Sequence, residues 1–463
     1  MKIFRRSMVL ALCMLFLCQA AVLAAGKIAL QGVRLGKGAA RDRVVFDLAS
    51  LPKYQLNVSP DGKKVTLDFT DVRDVRMNLT EIKSDTIRGT AVQEKDGHLL
   101  VTIDLYDKYK VQAGSLKNPA RVYLDISKEY ENIYTDQVAA GLEHIKYVRA
   151  DGRGMLTANF LKVDPKLYKL EFALANGIVP GRQTVSGIVS DNQAAAGINA
   201  AYFSLNGEVI GMMRLDGTVV GTTYFNRSAL GLRQDGTGFI DRITYNGQVT
   251  LGKVTLPVAG VNVERGVNNL IIYNRYYGPT TKTNEYGTEY VIENGRVVAI
   301  GRGNARIPQN GAVISVHGTS EDAFKGVKVG DRAVISEDLG AKWRDVPNIL
   351  GAGPTLVKNG IASPTTVSEQ FGPDVAAGRA PRTAFGFTKD GQYLLAVVDG
   401  RQSLSIGCTL PEMAALMKKF GAKDALNYDG GGSTEMVLNG TILNSPSDGS
   451  ERRVGSALLV KRK

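Results

Sequence analysis

The chain has 463 residues, 44% of them hydrophobic and 22% charged, with a formal charge of +12. This length allows two or three domains, and the balance is ordinary for a globular protein. The basic residues are scattered rather than gathered in a dense stripe, which argues against a nucleic-acid partner.

The N-terminus opens with a basic "MKIFRR", followed by an apolar core and small residues up to Ala24. This pattern predicts a secretory signal at 1–24, with Val22 and Ala24 at the small positions before the cleavage site; left uncleaved, it can act as a membrane anchor. A lipoprotein at Cys18 is disfavoured because Leu17, not a small residue, precedes it. Cleavage removes Cys13 and Cys18, leaves Cys408 without a disulfide partner, and lowers the charge to about +9. The expected location is secreted, in the periplasm or cell envelope.

Fifty-two glycines against 15 prolines, with many short apolar runs, point to strands joined by tight turns. The segment "RVVFDLASLPKYQLNVSPDGKKVTLDF" (43–69) is echoed by "LLVTIDLYDKYKVQAGSLKNPARVYLDI" (99–126). Each copy alternates apolar and polar residues, then turns and alternates again, which predicts one small β-sandwich over 27–128. Asp47, Asp68, Asp104 and Asp125 recur at strand ends, where turn formation is the expected role. "RVVFDL" and "NPARVYLDI" resemble the AMIN domain, a β-sandwich of bacterial envelope proteins; the resemblance implies targeting to peptidoglycan through 27–128.

Residues 129–145 lack a periodic pattern and read as a linker, so a second domain is expected over 146–463. Its stretch 247–340 is rich in turns, with Asn294-Gly295 as a hairpin signal, and reads as an inserted β lobe. One helix is well marked: Thr409 and Glu412 form a capping box, Pro411 lies in the first turn, and Leu410, Met413, Ala414 and Met417 make an apolar stripe. "DALNY" follows as a buried strand that delivers Asp429 to its end. The fold class is therefore β-rich α+β, a small N-terminal β-sandwich followed by a larger mixed α/β domain.

Several chemistries are excluded. No Gly-x4-Gly-Lys-Ser/Thr loop is present, His98, His144 and His317 are far apart, and Cys408 has no nearby histidine. What remains is a set of polar, Gly-rich strand ends: "GINAAYFSLNG", "LGAGPTLVKNG", "RAPRTAFGFTKDG", "LAVVDGRQSLSIG" and "NYDGGGSTEM". Gly430, Gly431 and Gly432 allow backbone N–H groups to converge on an anion. Arg382 and Arg401 can make paired bonds to phosphate oxygens, while Asp429 and Asp399 supply carboxylates for proton transfer or attack at a sugar carbon. A serine hydrolase with Ser433 as nucleophile is disfavoured, because "GGGS" lacks the Gly-x-Ser-x-Gly elbow.

These clusters, with the closing "ERRVGSALLV", resemble the phosphodiester glycosidase (NAGPA) family over roughly 170–461. The segment from Val397 to Gly440 is its most specific part, although Tyr428 stands where the family typically has leucine. The resemblance implies hydrolysis of a sugar-1-phosphodiester at the glycosidic carbon. It implies Asp429 as nucleophile or base with Asp399 second, and Arg382, Arg401 and the Gly430–Gly432 amides as stabilisers of the leaving phosphate. Asn199, Thr383 and Ser433 are then expected to bind the substrate. The residues name no cofactor, and a divalent cation bound by Asp399 and Asp429 is an option. A non-catalytic glycan-binding or exopolysaccharide-assembly protein is the alternative function.

Overall fold

The structure, a computed structural model, describes residues 27–38, 40–74 and 82–463. The expected signal, with Cys13 and Cys18, lies outside the described residues. Two compact units form: one runs up to Asn132 and includes Ala150–Arg153, and the other comprises Ile133–Arg149 and Gly154–Lys463. Both are built mainly from antiparallel strands, in keeping with a β-rich α+β chain.

The first unit packs a five-stranded sheet and a four-stranded sheet around one core of Val44, Phe46, Leu67, Phe69, Val101, Ile103 and Leu124. The internal repeat explains its topology. Strand Arg41–Leu48 of the first copy pairs with Arg121–Ser127 in the second copy's hairpin. Strand His98–Leu105 of the second copy pairs with Lys64–Thr70 in the first copy's hairpin. Each copy thus completes the sheet of the other, and neither covers its apolar face alone.

The four recurrent aspartates do not form turns. Asp125 accepts two bonds from Arg43, at 2.6 and 2.8 Å, and Asp47 two from Arg34, at 2.7 and 2.8 Å. Asp68 meets His98 Nδ1 at 2.7 Å, and Asp104 lies 3.9 Å from Lys64. Outward positions on adjacent strands face each other, so their charges pair across the sheet.

An eight-stranded sheet, within the second unit except for residues 130–132 and 150–151, runs in the order 130–139, 142–151, 154–163, 393–398, 382–388, 422–427, 355–358 and 361–362. Residues 129–145, expected as a linker, therefore carry strands. Their pattern is hidden because Tyr130–Ala139 is the edge strand and mostly exposed, so polar residues occupy both of its faces. The central strand Tyr393–Val398 is buried throughout. On one face Phe385, Leu395, Val397 and Leu426 join a core with Ile198, Met436, Leu458 and Val460 from a five-stranded sheet. On the other, Ala384, Leu394 and Ala396 pack with Leu410, Met413 and Met417 of the helix Leu410–Lys419.

Residues 246–338 hold a three-stranded and a five-stranded sheet with a core of Val249, Ile272, Tyr290, Ile314 and Phe324. Asn294 and Gly295 turn there with φ of 50° and 71°, the left-handed pair a two-residue hairpin demands.

The helix has the expected capping box: Thr409 Oγ1 accepts the Glu412 N–H at 3.3 Å and Glu412 Oε2 accepts the Thr409 N–H at 3.0 Å. Thr409→Ala should therefore lower the unfolding free energy by about 1 kcal/mol in urea titrations.

Candidate active site

Strand Arg382–Thr388 lies between Tyr393–Val398 and Ala422–Asn427 and is antiparallel to both. The start of one strand meets the ends of the other two, which brings Arg382, Asp399 and Asp429 to one end of the sheet. The Tyr428 N–H donates to the Thr383 carbonyl at 2.9 Å and continues the pairing up to the Asp429 turn.

Asn199 ends a strand of the facing sheet and is fully buried. Its Nδ2 donates to the Asp429 carbonyl at 2.6 Å, while its Oδ1 accepts from Thr383 Oγ1 at 2.7 Å and from the Glu435 N–H at 3.1 Å. Asn199 and Thr383, expected to touch substrate, are instead satisfied by protein groups and hold the turn in place. Ser433 is likewise buried and gives its hydroxyl to the Asp429 carboxylate.

The glycine amides do not form the expected three-membered nest. The Gly430 N–H donates to Asp429 Oδ1 at 2.9 Å and the Gly431 N–H to the Pro381 carbonyl at 2.9 Å. Only the Gly432 N–H has no partner among the described residues. Close approach accounts for the glycines themselves. A Cβ on Gly430 would sit 2.8 Å from the Pro381 oxygen, and one on Gly432 would meet the Arg452 guanidinium at 2.0 Å; Gly431 has φ of +62°.

Three arginines surround this turn. Arg382 is 3% exposed, and its Nε and one terminal nitrogen bond the carbonyls of Cys408 and Gly378 at 3.2 and 3.3 Å. Among the described residues it has no carboxylate partner. Burial lowers its pKa, and the like charge of Arg401 adds to that depression. The Arg401 guanidinium lies against Gly431. Arg452 was given no role from the sequence, although it falls within "ERRVGSALLV". It bonds Asp448 at 2.6 Å and covers Gly432.

Burial pushes Asp429 up to about 6, against the pull of Ser433, the Gly430 N–H and Arg452. Asp399 is also pushed up to about 6 by burial, but its partners are the Ser445 N–H at 2.9 Å and Asn444. The two carboxylates are thus aimed at different partners, and Asp399 fastens the 444–445 segment. Glu435 is a buried acid pushed up to about 9 by burial and by its bond to Glu451. Burial likewise pushes the Cys408 thiol up to about 12, so it is no thiolate nucleophile at neutral pH.

Tyr202, also overlooked, stands beside Asp429. Its hydroxyl donates to the Gly353 carbonyl at 2.9 Å and accepts from Asn427 at 2.9 Å, and the charges of Asp429, Arg382 and Arg227 all bear on it. A separate cleft of about 1440 Å³, lined by Lys169, Glu171, Gln183, Asp235 and Arg462 among others, contains none of these residues.

Residues 286–461 match the phosphodiester glycosidase (NAGPA) family model. An uncharacterized SPbeta prophage-derived protein of Bacillus subtilis is 34% identical over 131 residues, covering 28% of this chain and 20% of that protein. The N-acetylglucosamine-1-phosphodiester alpha-N-acetylglucosaminidase of Bos taurus is 48% identical over 86 residues, covering 17% of this chain and 16% of that enzyme. The chain therefore spans about a fifth or less of the length of these curated relatives. A solved Synechocystis protein described as hypothetical shares the fold, with a TM-score of 0.65, 22% identity, and coverage of 95% of this chain and 81% of that one.

Asn199→Ala would strand three buried partners, so unfolding by urea should show a loss of roughly 2–4 kcal/mol. A loss below about 0.5 kcal/mol would refute its role as the clamp of the turn.

Proposed function

We propose that this protein hydrolyses the glycosidic bond of a sugar-1-phosphodiester in a bacterial envelope glycopolymer or its precursor. The observation that carries this is the Asp429 carboxylate at a sheet end, on a turn that Arg382, Arg401 and Arg452 surround, the first two without a carboxylate partner among the described residues. The family match over 286–461 supports the same chemistry.

A phosphate monoester leaves readily once its charge is stabilised, so the reaction calls for cations on the leaving side and one carboxylate at the sugar carbon. Arg382, Arg401 and the Gly432 N–H serve the first need, and Arg452 adds its charge nearby. Asp429 serves the second, as nucleophile toward C1 or as base toward an attacking water, while the C1–O electron pair departs with the phosphate. Ser433 and the Gly430 N–H hold its carboxylate in place. Residues 1–24 would export the chain, and the sandwich at 27–128 would hold it at peptidoglycan.

Turnover of an N-acetylglucosamine-1-phosphodiester should fall at least a hundredfold, by about 3 kcal/mol or more, in Asp429→Asn and Arg382→Ala. Normal rates in both would exclude the site. Activity that needs the ionised carboxylate should rise with pH through about 6. The stability effect has the opposite sign. The folded pKa lies above the unfolded one, so stability falls as pH rises from near 4 through about 6. Asp429→Asn should accordingly stabilise the fold at pH 7 by roughly 1–2 kcal/mol, a gain that calorimetric melting would detect.

Sedimentation with purified peptidoglycan should retain the chain and lose it when 27–128 is deleted. Equal retention of both would exclude targeting by that segment.

A further inference from the structure

Asp448 and Arg452 form an ion pair that rests on the glycine turn. Arg452 Nε and a terminal nitrogen donate to the same oxygen, Asp448 Oδ2, at 2.8 and 2.6 Å. No helix imposes this pairing, because residues 443–455 belong to no helix or strand. A Cβ placed on Gly432 would overlap both the Arg452 guanidinium and Asp448 Oδ2. Both members of the pair therefore lie on the backbone of the one turn glycine whose N–H has no partner among the described residues. Arg452 is also the cation that bears on the Asp429 carboxylate.

The segment that carries the pair is fastened on both sides. Asn444 accepts the Met436 N–H at 2.8 Å and donates to the Thr434 carbonyl at 3.0 Å, and the Ser445 N–H donates to Asp399 at 2.9 Å. On the other side Glu451 accepts the Ser186 hydroxyl at 2.7 Å, and Val454 pairs with Gln183. Between these anchors the chain turns, with the Gly449 N–H on the Pro446 carbonyl at 3.1 Å. Partly exposed ion pairs contribute little to stability, so the fold alone gives no reason to hold a carboxylate here. Its effect falls on the site. Arg382, Arg401 and Arg452 bring three positive charges to the turn, and Asp448 offsets the one that lies on Gly432.

We propose that Asp448 sets the ionic form of phosphate that the site prefers, by competing with the bound phosphate for Arg452 beside Gly432. Hydrolysis converts a phosphodiester, with one negative charge, into a phosphomonoester, which carries close to two above pH 7. Water adds to C1, the C1–O bond breaks, and its electron pair leaves with the monoester. Three guanidiniums without a counter-charge would hold that doubly charged product more tightly than the substrate. Repulsion by one fixed carboxylate is twice as large for a dianion as for a monoanion at the same place, so Asp448 weakens the product more than the substrate. The residue thereby favours entry of the diester and departure of the monoester. This inference rests on the phosphodiester function proposed above and adds how the site discriminates the charge of its ligand.

The test measures binding to the full chain, well above pH 6 so that Asp429 is ionised throughout. Two small probes are compared: methyl phosphate for the monoester and dimethyl phosphate for the diester. Broadening of each phosphorus NMR line on adding protein gives the dissociation constant. Asp448→Asn should tighten methyl phosphate about tenfold and dimethyl phosphate about threefold, since doubling the ligand charge squares the fold-change. Asp448→Glu, which keeps the carboxylate, should bind both probes as the unaltered chain does. A residue that served only to position Arg452 would give the opposite sign, with both probes bound more weakly once Asp448 is replaced. Unchanged or weakened binding of methyl phosphate in Asp448→Asn, equal tightening of both probes, or no binding of methyl phosphate to either protein overturns the proposal. Neither probe has to react. Turnover of the methyl diester of N-acetylglucosamine-1-phosphate by the unaltered chain therefore tests the hydrolase function separately.

Discussion

The buried amide of Asn199 joins two sheets and one turn. Its strand belongs to the sheet that contributes Ile198, Met436 and Leu458 to the core, whereas Thr383, which donates to it, belongs to the eight-stranded sheet. The same amide donates to the Asp429 carbonyl and accepts the Glu435 N–H. Only a group with a donor and an acceptor fixed in one plane can do this; an ionised carboxylate lacks the donor and an aliphatic side chain lacks both. The turn between Asp429 and Glu435 is thus clamped at both ends, and its carboxylate is positioned by core structure rather than by a free loop.

That clamp fixes the turn beside two guanidiniums, Arg382 and Arg401, that have no carboxylate partner among the described residues. Among the described residues Arg382 hydrogen-bonds only carbonyls, with Arg401 close enough to repel it. Burying a guanidinium without a carboxylate is costly, and a bound anion would offset that cost. Asp429 does not fill the gap. It stays near 6 because burial outweighs its hydrogen bonds, and because Arg452, the cation that bears on it, is shared with Asp448. Cations held apart from the one reactive carboxylate suit a reaction whose leaving group is an anion.

Much of this was legible in residue order. The duplicated alternation gave the sandwich, and the Thr409 to Glu412 spacing gave the helix that packs on the sheet beneath Asp429's strand. What stayed hidden depends on direction rather than residue type. The sequence shows that Asn199 is polar among apolar neighbours, but not whether its amide faces a ligand or the Asp429 carbonyl. Asp399 and Asp429 look equivalent as strand-end carboxylates, yet one closes on Ser445 and the other on its own turn. Tyr130–Ala139 has no readable period because an exposed edge imposes no buried face. Arg452 and Tyr202 lay within noted stretches, but their places beside the turn follow from long-range packing.

The glycine triplet shows how far composition can mislead about mechanism. Three consecutive glycines suggest a cradle of free amides, and two of those amides are in fact occupied by Asp429 itself and by Pro381. Their shared property is the missing side chain. Gly430 lets the turn lie on the Pro381 carbonyl, Gly432 lets Arg452 cover it, and Gly431 both turns the backbone and lies under Arg401. A Cβ at Gly432 would have to displace a guanidinium, so such a change would act first on the charges around Asp429 and only secondarily on the fold. The anion-binding capacity of the motif therefore resides mostly in the arginines that the glycines admit, with the single Gly432 N–H as the backbone's direct contribution.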